Sequence, residues 1–345
     1  VKNYNGVYPD ARIEVEAGAY VRYEEENAAA EPQVFSDYQG MSGDSVLTSE
    51  KAMIEYEVNV AQEGFYNLAV DYFPVAGKSS DIERSIFVDG ALPYGEMALL
   101  TFHRVWKYDI VQSAGENGSV TYAWEKDNQG NDCKPGMVEA PEWMTIYCYD
   151  SDGYVTSPLS LYLTKGTHTI SILSLKEPML IRKLTFENAA STKSYAEVKA
   201  EQDKNGAKDT TGQLITIQGE DATKSSSQML YPQQDQSSPA VYPSSHKELL
   251  NNTVGGNSWR LVGQWIEWDF DVAETGYYNI SLYDCQNFVR GVYVSRRIMI
   301  DGIVPFSELE DYGFTYGQSW REDVIGDGQG NPYSFYLEQG HHTIR

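Results

Sequence analysis

What this 345-residue chain has little of narrows it first. Three cysteines, Cys133, Cys148 and Cys285, are too few for a disulfide scaffold, and no spacing among them resembles a zinc site. Cys133 and Cys148 are near enough in sequence to bridge, which would leave Cys285 odd; three simple buried thiols are the other reading. Basic residues are scarce, with 26 Lys and Arg against 50 Asp and Glu and a formal charge of −24. With no basic patch to displace counterions, a nucleic-acid partner is excluded and an anionic membrane surface disfavoured. A field of this sign suits a neutral or cationic ligand. No apolar run approaches the roughly 20 residues that span a bilayer. The start, Val1-Lys2-Asn3-Tyr4, has no signal-peptide core, which fits a cytosolic protein or a mature or trimmed chain. Catalytic signatures are missing as well: no Gly-x-Ser-x-Gly elbow, His-Glu-x-x-His, P-loop or dinucleotide fingerprint.

Aromatic residues are plentiful. The 26 Tyr, 7 Trp and 11 Phe favour side chains that make contact surfaces at low entropic cost, which leans toward the outside of a cell. The chain also repeats itself. Ile54-Glu55-Tyr56-Glu57-Val58 returns as Ile266-Glu267-Trp268-Asp269-Phe270, and Gly64-Phe65-Tyr66-Asn67 as Gly276-Tyr277-Tyr278-Asn279, both at an offset of 212. Arg84–Gly90 returns as Arg296–Gly302 at the same offset. Gly166-Thr167-His168-Thr169-Ile170 returns as Gly340-His341-His342-Thr343-Ile344, where the offset has fallen to 174. The first repeat therefore carries about 38 extra residues.

Within each repeat the pattern is β. Ile54, Tyr56, Val58 and Val60 alternate with polar residues, the period of a half-buried strand, and Asp89-Gly90 is a hairpin turn. Many short strands predict an all-β chain of two antiparallel β-sandwich (jelly-roll) domains. Ser194-Tyr195-Ala196-Glu197 has the form of a capping box and Gly206 is placed to end a short helix. The expected organisation is a first sandwich over 1–190 with an insertion near 107–157, a helical linker over 191–213, and a second sandwich over 214–345. The second lacks the strand that follows Gly166–Ile170 in the first, so the natural protein is expected to continue past Arg345.

The order of elements carries a resemblance. An opening strand (Ile13-Glu14-Val15-Glu16; Ile217-Gln218-Gly219-Glu220-Asp221) is followed by the Ile54 or Ile266 strand and Gly-Tyr-Tyr or Gly-Phe-Tyr. An Asp-Gly turn, a Trp-bearing loop and Gly-x-His-Thr-Ile come after it. Found twice, this resembles the β-sandwich carbohydrate-binding modules of families six and thirty-five. Pro74–Arg84, Ser237–Pro243 and Gln286–Gly291 narrow it to tandem modules like those at the N-terminus of large substrate-binding proteins of bacterial sugar ABC transporters. The resemblance implies a non-catalytic glycan-binding pair in a secreted or surface-anchored lipoprotein, with an oligo- or polysaccharide ligand. It further implies a following solute-binding domain and a transporter permease as partners, and no membrane insertion within this chain. It also implies a structural Ca²⁺ with Glu14, Glu16, Glu220 and Asp221 as oxygen ligands. Against that, Arg182-Lys183 stand where the first repeat should supply an Asp, and acidic side chains on a solvated strand are the alternative.

Sugar binding needs an aromatic plane with donors and acceptors at its edge. The second repeat offers Trp259, Asn287, Arg290, Tyr293 and Trp320 on expected loops; Tyr94 and Trp106 lie in corresponding loops of the first. Any one Trp equally well plugs a sandwich end. Trp265 and Trp268 flank a strand, where at least one is expected to be buried. Asp127-Asn128-Gln129-Gly130-Asn131 and Asp327-Gly328-Gln329-Gly330-Asn331 are oxygen-rich loops of a kind that can bind Ca²⁺, but they lack the spaced acids and terminal Glu of an EF-hand. The favoured reading is tight turns whose Asp side chains bond their own backbone. Three functions result: a glycan-binding pair, a structural or adhesive spacer that presents another domain, and, with least support, an enzyme whose paired carboxylates converge only in space.

Overall fold

The computed structural model describes residues 6–345. It is nearly all-β, with antiparallel strands over 41 % of residues and one α-helix among the described residues. The chain divides into two compact units. The first takes residues 6–105, 139–190 and 261–263, and the second takes 106–138, 191–260 and 264–345.

The first unit is a sandwich of two antiparallel sheets. One runs Met144–Tyr147, Gly64–Pro74, Met179–Glu187, Asp44–Thr48, Val34–Ser36, with Ile13–Glu16 paired to Met179–Glu187 and Ser160–Leu163 to Gly64–Pro74. The other runs Ala28–Ala29, Tyr20–Glu25, Ala52–Val60, Gly166–Lys176, Ile82–Val88, Leu100–Phe102. The period-two pattern of Ala52–Val60 does what its alternation dictates: Ile54, Tyr56, Val58 and Val60 turn inward to meet Leu68, Val70, Ile170, Leu184 and Phe186. Each such buried side chain contributes about 1.5–3 kcal/mol.

The ends of this unit are pinned by polar contacts. Arg104, one residue before the chain crosses to the second unit, forms an enclosed ion pair with Glu177 at 2.8 Å, their side chains 1 % and 0 % exposed. Arg104 also donates to the carbonyls of Ser80 and Val75, and Glu177 accepts from Lys78 and Ser80. The Val75–Ser80 loop is thus closed around one guanidinium–carboxylate pair.

The second unit gathers a five-stranded sheet in the order Met137–Glu139, Trp106–Tyr108, Lys224–Ser225, Ile266–Val272, Gly340–Ile344, plus several two-stranded ladders. Residues 106–138, expected as an insertion of the first sandwich, group with this unit; Met144–Tyr147, from the same expected insertion, pairs with Gly64–Pro74 in the first. The cause is burial: Tyr108 and Tyr122 share a core with Ala222, Leu230 and Ile266, with Trp124 against it. The helix Tyr195–Lys204 starts with a complete capping box on Ser194 and Glu197. It is more than a connector, since Tyr195 packs against Phe306 and Tyr333 at ring distances of 5.0 and 4.6 Å.

The repeat reappears as repeated bonds. Tyr66 and Tyr278 each donate a hydroxyl hydrogen bond of 2.6 Å to the carbonyl four residues earlier, Gln62 and Glu274. Asn67 and Asn279 donate their amides to the carbonyls of Leu159 and Tyr333, the same place in each copy. Asp89-Gly90 and Asp301-Gly302 are left-handed at both positions, with φ of 51° and 75° against 52° and 74°. These values define a type I′ hairpin turn. Asp127 and Asp327 accept from the backbone two and four residues on, so both are the expected self-bonded turns. All three thiols are free, Cys148 buried and the other two half-buried.

Candidate functional site

The second unit carries these aromatic residues on and beside two short antiparallel ladders. Ser281–Asp284 pairs with Arg321–Val324, and Tyr293–Arg296 with Tyr312–Thr315. Trp320 precedes the first ladder and stacks on Tyr283, ring centroids 5.8 Å apart and planes 17° apart. Its indole N–H donates to the Asp235 carboxylate at 3.0 Å, which fixes the ring's rotation. Burial works against the Asp235 charge, but Ser237 and this indole outweigh it and hold the carboxyl below its usual range. Tyr283 is 47 % exposed. Together the two rings make a half-open aromatic surface braced by one acid.

The neighbouring residues are tied to this surface by polar bonds. Arg321 grips Asp323 with two nitrogens and donates to the Thr315 carbonyl at 2.8 Å, which joins the two ladders. Gly317 N–H donates to the Gln286 carbonyl at 2.8 Å. The Gln286 side chain accepts from the backbone of Phe288 and Val289, folding the loop that holds Asn287 and Arg290. Both of those side chains are exposed. Tyr293, 58 % exposed, lies across Gly313, where a Cβ would meet its ring at 2.8 Å.

The remaining expected residues are placed differently. Trp259 is half-buried: its indole donates to the Gln264 carbonyl at 3.0 Å, and the Arg296 guanidinium sits 4.5 Å over its ring. One face is therefore covered, and burial lowers the Arg296 pKa. Trp106 is 5 % exposed, in register with Ser225, and presents no face to solvent. Tyr94, in the first unit, is half-buried and donates to the Ser160 carbonyl at 3.0 Å; burial raises its pKa. Neither Trp265 nor Trp268 is fully buried. The buried residues of that strand's start are Ile266 and Glu267, while Arg345 covers Trp265 at 3.8 Å and Trp268 bonds the Gly219 carbonyl.

Tyr283 is the functional candidate that the sequence pattern passed over. Its signal was the alternation Leu282-Tyr283-Asp284, which turns a large aromatic outward on the strand beside the Trp320 loop.

Among the expected calcium ligands, Glu14 is engaged by Arg12 and Lys183, which hold its carboxyl below its usual range. Glu16 is exposed. Glu220 is buried at 3 % exposure, its Oε2 has no hydrogen-bond partner, and burial pushes its pKa up to about 8. Burial likewise raises Asp221 to about 6. Among the described residues no three His, Cys, Asp or Glu side chains are grouped to hold a metal ion. The cation-paired Glu14 of the first unit does not fit a Ca²⁺ ligand, and Glu220 and Asp221 alone are an incomplete donor set.

No family model matches the chain, and no curated protein matches it. Solved structures that resemble it include a family 35 carbohydrate-binding module from Clostridium thermocellum, at 14 % identity and a TM-score of 0.27 over 52 % of this chain and 99 % of the module. The C-terminal CBM6 of the laminarinase LamC from Zobellia galactanivorans matches at 12 % identity and 0.28, over 52 % of this chain and 100 % of that one. A Podospora anserina GH26-CBM35 β-(1,4)-mannanase matches at 14 % and 0.29, over 53 % of this chain but 28 % of its own. At such identities and scores no residue's role is carried over from them.

Proposed function

We propose that the chain is a non-catalytic carbohydrate-binding protein, and that the paired rings of Tyr283 and Trp320 are its platform. The observation that carries this is the stack itself: two near-parallel aromatics, half open to solvent, with the indole N–H anchored on Asp235. Such a surface takes the C–H face of a pyranose, while exposed Asn287 and Arg290 offer amide and guanidinium donors to its hydroxyls. A neutral sugar loses little to the negative field of the protein. The wider setting we favour is a secreted or surface-anchored bacterial protein of sugar uptake, followed by a solute-binding domain that serves a permease.

The test is a glycan array on the parent, then titration of the selected glycan against Trp320→Ala and Tyr283→Ala, each checked for retained folding. Both variants are expected to bind at least tenfold more weakly. Equal binding by parent and variants would place the site elsewhere. A second reading, a spacer that binds no sugar, is favoured by the covered ring of Trp259 and the buried ring of Trp106. It takes the lead if no glycan on the array binds the parent.

A further inference from the structure

Gly64–Pro74 is one 11-residue strand of the first unit, buried along its whole length and paired on both edges. One edge meets Met144–Tyr147 and Ser160–Leu163; the other meets Met179–Glu187. Its repeat in the second unit is broken into Gly276–Tyr278 and Ser281–Asp284. Each piece has a single strand partner, Phe335–Leu337 and Arg321–Val324, and both partners lie on the first edge. The second edge begins alike in the two units: Phe65 N–H donates to the Val7 carbonyl at 2.8 Å, and Tyr277 N–H to the Lys208 carbonyl at 2.9 Å. Beyond that point the units differ. In the first, Asn67 to Pro74 pair with Glu187 to Met179; among the described residues no strand pairs with Asn279–Asp284 on this side.

Side-chain burial records the difference. Asn67, Ala69 and Asp71 on one face, and Leu68, Val70 and Tyr72 on the other, are all buried. Their counterparts Asn279, Ser281 and Tyr283 are exposed, and Ile280, Leu282 and Asp284 are only half-buried. Ile13–Glu16 also pairs with Met179–Glu187, but its repeat Ile217–Glu220 belongs to no strand, although Ile215 and Ile217 still pack on the second core. The backbone of the open edge is aimed for pairing. Ile325 N–H donates to the Ile280 carbonyl at 2.9 Å, so the polar groups of Ile280, Leu282 and Asp284 face Arg321–Val324. Alternation then directs the N–H and C=O of Ser281 and Tyr283 outward. Such an edge is a template for an added strand, with affinity drawn from the backbone and selectivity from alternate side chains.

We infer that the second unit accepts an extended peptide segment on the open edge of Ser281–Asp284, antiparallel to it and with apolar side chains facing the core. The first unit shows what fits. Met179, Ile181, Leu184 and Phe186 reach its core, and one register slip between Ile181 and Lys183 keeps both halves of the strand facing inward. The cations of that strand are not required, because their partners Asp71 and Glu14 are replaced by Tyr283 and Gln218 in the second repeat. The occupant is a peptide outside the described residues and not a second copy of this chain. Ser281–Asp284 is only 4 residues long, and a charge of −24 on each copy opposes edge-to-edge pairing. Strand acceptance requires no saccharide binding.

The experiment titrates the full chain with a labelled peptide of the sequence Pro178–Asn188, followed by anisotropy and by amide hydrogen exchange. The expected result is saturable binding, with exchange at Ser281 and Tyr283 slowed about tenfold or more and exchange along Gly64–Pro74 unchanged. Arg182→Ser and Lys183→Ser in the peptide are expected to leave binding in place, whereas Ile181→Asp with Leu184→Asp abolishes it. In the chain, Ser281→Pro removes an outward donor without touching the ladder to Arg321–Val324, and is expected to weaken binding about tenfold. Should that variant fail to fold, methylation of the peptide amide at Thr185, opposite Ala69 in the first unit, gives the same loss on the unchanged chain. The proposal is overturned if the peptide does not bind, or if a scrambled peptide binds as tightly. It is also overturned if neither Ser281→Pro nor the methylated peptide binds more weakly, or if the free chain is a dimer in which the Ser281 and Tyr283 amides are already protected.

Discussion

His342 and Asp301 stand 2.7 Å apart, Nδ1 to Oδ2, and close the Asp-Gly turn onto the last strand of the described chain. His168 and Asp89 do the same in the first unit at 2.7 Å. In each case the second carboxylate oxygen accepts from the backbone of the residue after the histidine, Thr343 or Thr169. The other ring nitrogen faces a carbonyl four residues back, Glu338 or Thr164. A histidine in the repeated Gly-x-His turn is therefore a clamp between turn and strand.

Both nitrogens of His342 face acceptors, so the imidazolium satisfies both. Burial alone would lower its pKa, but the Glu338 carbonyl and the Asp301 carboxylate outweigh that and raise it. A raised folded pKa adds stability that is fully present below the unfolded value of about 6.5 and is lost as pH rises through the folded one. His342→Gln is expected to cost about 1 kcal/mol at pH 6 and less at pH 9. Urea unfolding of both proteins at the two pH values checks it; an equal gap at both refutes the charged clamp.

Glu220 predicts a second pH dependence. With its folded pKa near 8 and an ordinary carboxyl value of 4.5 when unfolded, it stabilises at low pH and loses that contribution between pH 4.5 and 8. Glu220→Gln keeps the shape and removes the charge. Its melting temperature is expected to rise above the parent's at pH 8 by the equivalent of about 1 kcal/mol or more, and to match it at pH 4.5. A variant less stable at pH 8 would mean that the carboxylate is satisfied by a cation.

Breaking the enclosed pair of the first unit should be costly. Arg104→Met leaves the Glu177 carboxylate without its cation, for an expected loss of about 3–5 kcal/mol in unfolding free energy. A loss under 1 kcal/mol by denaturant titration would show that the Lys78 and Ser80 bonds to Glu177 suffice.

A fragment of residues 191–345 would lack Trp106–Tyr108 and the rings of Tyr108 and Tyr122, leaving Ala222, Leu230 and Ile266 uncovered. It is expected to aggregate, whereas the same fragment joined to residues 106–138 through a flexible linker should be soluble and give dispersed amide resonances. A well-dispersed spectrum from the bare fragment contradicts the grouping.

Much of this was legible in residue order because it is local. The alternation of Ile54–Val60, the Asp89-Gly90 and Asp301-Gly302 turns, the Ser194 capping box and the Asp127 and Asp327 turns each rest on contacts within a few residues. The assignment of residues 106–138 was not legible, since Trp106-Lys107-Tyr108 is too short to show a period and its partner Ser225 is far along the chain. The stack of Tyr283 on Trp320 escaped for the same reason. The break in alternation at Ile181-Arg182-Lys183-Leu184 was visible as two misplaced cations, but only the register slip shows that they are turned to one face.

The division of the chain also sets a timetable for synthesis. The first unit, apart from residues 261–263, has all its strands once Glu187 has left the ribosome. Tyr108, Tyr122 and Trp124 emerge before that point, yet Ala222, Leu230 and Ile266, with which they pack, come later. At roughly 5–20 residues per second the wait lasts several seconds, during which three large aromatic rings hang from a finished unit without these partners to cover them. A nascent chain in that state is a natural client for a chaperone.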